Sequence, residues 1–267
     1  MKIIRRISGK IESVSMKANL EKILNEDLGT SYFSTDLEEE SIRYSMILNY
    51  ICDYGLHDSV IGTKFTDKEI LEAEILCFTG GRAFSYPHPE EPKFLENTYL
   101  NSCGYCGAFG KQKTDFVIKK EPNLKYNSVV SLHWAFGEIF CNSDSYKDFF
   151  KKLGLEYRPV IVKKENQPSE SVVQVVLPLA DSELRIKEVD FTKCSHCGRI
   201  KYTPNTIGFF PQPEDENFSI MNTQEFFGSG HSAAHRILLT NDVMKEMIKS
   251  NMAKKHQFVP CKKKNVT

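Results

Sequence analysis

A mixed α+β fold is the class this sequence predicts. It would hold two degenerate strand–helix–strand repeats joined through paired cysteine turns, behind an N-terminal helical stretch. Three observations carry that reading. Two Cys-x-x-Cys-Gly motifs, Cys103-Gly104-Tyr105-Cys106-Gly107 and Cys194-Ser195-His196-Cys197-Gly198, stand far apart in the chain. Each is followed by the same order of strand, polar cap, amphipathic helix and strand. Between them, Ser171-Val172-Val173-Gln174-Val175-Val176-Leu177 is the strongest strand signal of all, because β-branched side chains favour the pleated backbone.

Taken in order, Met1-Lys2-Ile3-Ile4-Arg5-Arg6-Ile7 reads as an opening strand rather than the core of a signal peptide. From Ser15 to about Thr66 the pattern is mainly helical. Leu20, Ile23, Leu24 and Leu28 recur at three- and four-residue intervals before Gly29, and Thr35 to Glu40 resembles a capped acidic first turn ahead of Ile42, Met46, Ile47 and Ile51. Partial alternation from Glu69 to Phe78 predicts a strand, and Gly80-Gly81 with the prolines from Pro87 to Pro92 predicts a loop. The first repeat then ends with a strand at Glu138 to Cys141, the cap Asn142-Ser143-Asp144, a helix from Tyr146 to Leu153 and a strand from Tyr157 to Val162. The second ends with Arg236 to Leu239, Thr240-Asn241-Asp242, Val243 to Met252 and Gln257 to Pro260. The cysteine motifs are offset by 91 residues and the helices by 98, so duplication is degenerate. The expected organisation is a region 1–95, a strand plus helices packed on the core, followed by a metal-binding core over 96–267 with repeats at about 96–165 and 190–262. One compact domain is the alternative.

Composition narrows the class. The chain has 267 residues, and its 35 Lys+Arg balance 35 Asp+Glu. Zero net charge disfavours a protein that coats nucleic acid, since such domains carry a clear basic excess. No stretch approaches the roughly 18 uninterrupted apolar residues of a membrane helix. A reducing, cytoplasmic setting is therefore expected, in which thiols hold metals more often than they pair.

A Cys-x-x-Cys turn sets two thiolates on one side of a tight loop. The glycine after it suits a backbone turning through positive φ and lets amides approach sulfur. Two such turns complete a tetrahedral four-thiolate shell, the donor set of structural zinc. Cys103, Cys106, Cys194 and Cys197 are thus the expected ligands of one Zn2+ ion; an iron–sulfur cluster, rubredoxin-type iron or two redox pairs are the alternatives. Residues 107 through 193 would fold out and return, which loop-closure entropy permits because it grows only logarithmically with length. His196 reads as an exposed spacer. Cys52, Cys77, Cys141 and Cys261 read as packing residues.

Weaker motifs are assigned ordinary roles. His231 and His235 have the i, i+4 spacing of a helical metal site, but the adjacent Gly228-Ser229-Gly230 indicates a loop and no Glu follows the first His. Thr79-Gly80-Gly81-Arg82 reads as a turn and His133-Trp134 as a core or interface anchor. Phe209-Phe210 and Phe226-Phe227 read as buried pairs, and Lys262-Lys263-Lys264 as a solvated tail. No catalytic residues can be assembled.

The two CxxCG motifs, the Val172 to Leu177 strand, Arg199 after the second motif, and Phe226-Phe227-Gly228 leading through Ile237-Leu238-Leu239-Thr240 together resemble the bacterial double-CXXCG motif proteins. The resemblance spans about residues 70 to 261 and is specific at the cysteines. Some members of that family are regarded as immunity proteins against contact-delivered toxins. The resemblance therefore implies a non-catalytic cytoplasmic protein whose zinc holds the scaffold while it binds and neutralises a cognate toxin. It carries the four cysteines over as ligands but no toxin-binding residue; the acidic stretch Asp36 to Glu40 is a candidate face toward a basic toxin. Rival readings are a zinc-ribbon module for nucleic acid and an enzyme with an unrecognised cleft, which a pocket holding His231, His235 and an acid would favour.

Overall fold

The computed structural model describes residues 1–90, 92–124, 129–186, 189–204, 206–214 and 217–262. The fold is mixed α+β, as the sequence predicts, and the chain divides into two compact units: residues 1–66 with 206–208, and residues 67–205 with 209–267. The division falls after Thr66 rather than at 95, because the segment that follows supplies the central strand of a sheet built with the C-terminal residues.

The first unit runs β1 (Lys2–Lys10), α1 (Val14–Leu24), β2 (Tyr32–Glu38), α2 (Ile42–Asp53) and β3 (His57–Lys64), with an antiparallel sheet in the order β2-β1-β3. The opening strand is present, but the expected continuous helical stretch is not. Two of its segments are strands. In β2 the side chains alternate, with Phe33, Thr35 and Leu37 buried and Tyr32, Ser34 and Asp36 outward; period two, not 3.6, decides the conformation. The supposed acidic helix start is therefore the end of a strand. Its acids are answered across the sheet, Asp36 by Arg6 at 2.7 and 2.9 Å and Glu38 by Lys2 at 2.6 Å. The cap of α2 is Ser41, whose hydroxyl accepts from the Tyr44 amide at 3.2 Å. Helix α1 stops earlier than Gly29 would stop it, at Asn25 in the left-handed region (φ 56°). Ile7, Met16, Leu20, Leu24 and Ile47 are wholly buried between helices and sheet. The returning residues dock through Thr63, whose hydroxyl donates to the Thr206 carbonyl (2.9 Å) and accepts from the Gly208 amide (2.8 Å).

The second unit continues with α3 (Asp67–Glu72), β4 (Ile75–Phe78), β5 (Arg82–Ser85), α4 (Lys93–Thr98), β6 (Val117–Ile118), β7 (Val130–Leu132), β8 (Ile139–Cys141), α5 (Ser143–Asp148), β9 (Tyr157–Val162) and β10 (Gln167–Val175). It closes with β11 (Phe191–Lys193), β12 (Ile200–Tyr202), β13 (Ile220–Asn222), β14 (Phe226–Phe227), β15 (Ile237–Thr240), α6 (Asn241–Lys249) and β16 (Phe258–Pro260). Among the described residues three sheets result, in the orders β5-β7-β8-β10-β9-β6, β11-β12-β14 and β13-β15-β4-β16. The strand expected over Glu69 to Phe78 begins as helix α3. Only the four-residue apolar run Ile75-Leu76-Cys77-Phe78 is strand, and it is buried throughout.

The strand–helix–strand plan occurs twice. In the first repeat β8, α5 and β9 are followed by β10, which lies between β8 and β9 and is antiparallel to both. In the second, β15, α6 and β16 flank β4 in the same antiparallel way. The middle strand comes from after the repeat in one case and from long before it in the other. Helix α5 is shorter than its pattern suggests and gives way to a 3-10 turn at Phe150–Leu153, while Asn142 caps it by accepting from the Ser145 amide at 2.7 Å.

Within the first unit the strongest polar knot is Asp58. It accepts a bidentate pair from Arg5, both bonds at 2.9 Å, and the Tyr44 hydroxyl at 2.9 Å, with the guanidinium 5.3 Å from the Tyr44 ring centre. Asp58→Ala removes three charge-assisted bonds and is expected to destabilise this unit by about 2 kcal/mol. Hydrogen exchange at the β1 amides should report the loss, while the metal content of the purified protein stays unchanged.

Candidate metal centre

Each cysteine motif folds as a tight turn with the same internal bonds. In the first, the Cys103 amide donates to the Ala108 carbonyl (2.8 Å) and the Gly107 amide to the Cys103 carbonyl (2.8 Å). In the second, the Cys194 amide donates to Arg199 (2.9 Å) and the Gly198 amide to Cys194 (2.9 Å). The second turn is the tip of the β11–β12 hairpin. Both closing glycines lie in the left-handed region, at φ 75° for Gly107 and 72° for Gly198.

The two turns meet. One sulfur from each of Cys103, Cys106, Cys194 and Cys197 lies within 4.8 Å of the others, forming a cluster able to hold a metal ion. Cys106 and Cys197, 91 residues apart, bring their sulfurs to 3.6 Å. A tetrahedral ion with metal–sulfur bonds of about 2.3 Å needs sulfurs about 3.8 Å apart, so the spacing fits. Cys106 and Cys194 are buried, Cys103 is half-buried and Cys197 is exposed.

Local electrostatics prepare the thiols unequally. Amides of Cys197 and His196 point at the Cys194 sulfur and bring its pKa down to about 6. Amides of Cys106 and Tyr105 act in the same sense on Cys103, which lies below the usual thiol value. Burial does the opposite to Cys106, pushing it up to about 12. A bound cation is the charge that would favour the thiolate at that buried position.

Contacts around the sulfurs lock the turns together. Tyr105 and His196 occupy the same place in the two motifs and stack across the gap, ring centres 4.1 Å apart and planes 21° from parallel. His196 is exposed, as expected of a spacer, yet it pairs the turns in a way the linear spacing did not reveal. Arg199 donates to the carbonyls of Asn101 (2.8 Å) and Ala108 (3.0 Å). The buried Lys201 ammonium donates to the carbonyl of Cys106 at 3.0 Å.

His231 and His235 are not a helical pair. His231 belongs to a 3-10 turn, Gly230–Ser232, and its Nε2 lies 3.1 Å from the Gly104 carbonyl. His235 is wedged between Phe226 and Phe109, its ring centre 4.3 and 5.6 Å from theirs. Burial drives its pKa down to about 4, and its buried Nδ1 has no hydrogen-bond partner among the described residues. His235 does line a cleft of about 150 Å³ with Glu138 and Arg236. Both Glu138 oxygens are occupied there, by the Tyr99 hydroxyl and the Gln174 amide, each at 2.8 Å, and burial raises the carboxyl above its usual range. The sequence signal for this buried network was Gln174, a lone amide amid valines.

The remaining motifs fall mostly where expected. Thr79 to Gly81 connects β4 to β5. Trp134 packs half-buried against the core at φ 64°, and His133 stacks on Tyr86 at 4.2 Å. Phe210, Phe226 and Phe227 are buried, whereas Phe209 is exposed. Cys77, Cys141 and Cys261 are buried thiols, but Cys52 is exposed on α2 and is no packing residue. Lys262 is exposed, and Lys263 and Lys264 lie outside the described residues. No helix among the described residues is long and apolar enough to cross a membrane. No family model, curated protein or solved structure matches the chain.

The two glycines separate strain from space. A Cβ on Gly107 would stand 2.4 Å from the His231 Cα, whereas one on Gly198 meets nothing within 4 Å. Gly198→Ala is therefore expected to cost only the left-handed backbone penalty, about 1–2 kcal/mol. Gly107→Ala should cost clearly more and loosen the turn from the 230–232 segment; thermal unfolding of the two variants side by side checks this.

His235 predicts an acid dependence. Its folded pKa of about 4 lies below the unfolded value of about 6.5, so the unfolded chain binds more protons between those limits. The stability that comes from keeping the ring neutral is complete above pH 6.5 and is lost as pH falls toward 4, by about 3 kcal/mol in all. His235→Gln should flatten that slope in denaturant titrations across the window.

Proposed function

We propose that this chain is a non-catalytic, zinc-stabilised cytoplasmic protein that binds and neutralises a cognate toxin, as some double-CXXCG proteins are regarded as doing. The observation that carries the reading is the four-sulfur cluster formed by two matching turns from distant parts of the chain. Four thiolates at this spacing suit zinc, and a shell closed by four protein ligands leaves no position for substrate water, so the ion's role is to hold the scaffold. Cys103, Cys106, Cys194 and Cys197 would bind it, and the long excursion between the turns makes the clip a constraint on the whole unit. The occupied oxygens of Glu138 support a structural rather than a catalytic role for the nearby cleft. The balanced charge supports a protein partner over nucleic acid.

Elemental analysis of freshly purified protein should find about one zinc per chain, with iron absent. Cys194→Ser should lose metal and thermal stability together. Less than about half an equivalent in the unaltered protein would overturn the zinc assignment. For the biological reading, cells expressing a toxin gene adjacent to this one should survive with the chain and die without it. Equal survival in both cases would overturn it.

A further inference from the structure

The helices of the two repeats, α5 and α6, border an open groove of about 760 Å³. Its floor is apolar, formed by Phe149, Leu153, Phe218, Val243 and Met252, and its rim is acidic. Beyond Leu153 and Phe218 it runs into a second hollow of about 280 Å³ that includes Leu155, Leu179 and Ile220. Leu179 is 54% exposed at that end. The two hollows share Leu153, Phe218 and Ser219 in their walls.

The rim carries the decisive observation. Asp144 and Asp148 stand at i and i+4 on α5, and Asp242 and Glu246 stand at i and i+4 on α6, at matching places in the two repeats. All four are exposed and all four line the groove. Like charges at this spacing destabilise a helix. Asp144 and Asp242 have a local reason to be acidic, since each lies in a first helical turn and meets the positive end of the dipole. Asp148 is the last residue of α5, where negative charge is unfavourable to that helix. Among the described residues Glu246 is bridged only by exposed Lys249, at 3.4 Å. Among the described residues no ion pair reaches Asp144, Asp148 or Asp242, and Lys152, the cation that lines the groove, is joined to none of them. The acids of β2, by contrast, are largely paired within their own sheet.

We infer that the trough between α5 and α6 is a docking surface for a basic amphipathic segment of a protein partner, one that sets apolar side chains on the floor and Lys or Arg along the rim. Apolar floor plus unanswered charge is the complement of such a segment, as in helix-in-groove recognition. The inference rests on the toxin-binding reading for its biological sense: the segment would belong to the toxin, and the groove would replace the β2 acids as the face turned toward it.

The test uses the full chain and three labelled 18-residue probe peptides: one alternating Leu and Lys at helical spacing, its Glu counterpart, and a Lys/Ser peptide of equal charge without apolar residues. Fluorescence anisotropy at about 0.15 M salt should show binding of the Leu/Lys peptide alone. The exposed double variant Asp148→Lys/Glu246→Lys should weaken it at least tenfold while retaining zinc and melting no lower than the parent, and Leu179→Glu should weaken it severalfold. Equal binding to parent and double variant, equal binding of the Lys/Ser peptide, or no binding to the parent would each overturn the inference. The same double variant is then placed in the toxin-protection assay. Protection equal to the parent's would overturn the groove as the toxin's contact while leaving the toxin-binding reading intact. Failure of the parent itself to protect would overturn that reading, and the groove would be judged on the peptide arm.

Discussion

Two five-residue turns, drawn together from opposite ends of a long excursion, are the constraint on which the second unit depends. Each turn uses its glycine to bend the backbone and its amides to face sulfur, and each is closed by the same pair of main-chain bonds. The pairing is extended by the Tyr105–His196 stack and by Arg199 reaching two carbonyls of the opposite segment. Thiols held this close, with Cys106 pushed up by burial and Cys194 drawn down by backbone amides, are poorly matched to being all protonated or all charged; a cation would resolve the conflict. The four-sulfur cluster is therefore an electrostatic problem that the chain sets for itself and that a bound ion would solve.

What could be seen in the linear chain followed from how local each signal is. The cysteine turns were legible because Cys-x-x-Cys-Gly is a complete local device that needs no tertiary context to be recognised. The duplicated strand–helix–strand plan was legible because caps and amphipathic helices are short-range as well. The first unit was misread where a three- and four-residue rhythm from Ile42 onward was extended backward over Tyr32 to Glu38, whose true alternation is two. Acidic residues there mimicked a helix start because their partners, Arg6 and Lys2, lie 30 and 36 residues away across a sheet. The buried Glu138–Gln174–Tyr99 network depended on three separated segments and had only one faint marker, an amide in a valine run.

The repeated plan has a physical consequence of its own. Helices α5 and α6 carry their charges at matching positions, so what each helix pays singly in repulsion becomes a shared field once the two face one trough. A single acidic pair on an isolated helix would be a solvated face of no consequence. Two of them around an apolar floor form a surface with a sign and a shape.

The middle strand of the second repeat leaves its mark on how the protein must be made. β4 is apolar at every position, and both neighbours that cover its edges, β15 and β16, come from residues 237–240 and 258–260. A chain leaving the ribosome would hold this strand with both edges open until residues 237–260 had emerged, whereas the four cysteines are all present some 40 residues earlier than β15. The cluster can thus assemble before that sheet is complete, and an ion captured there during synthesis would hold an unfinished fold.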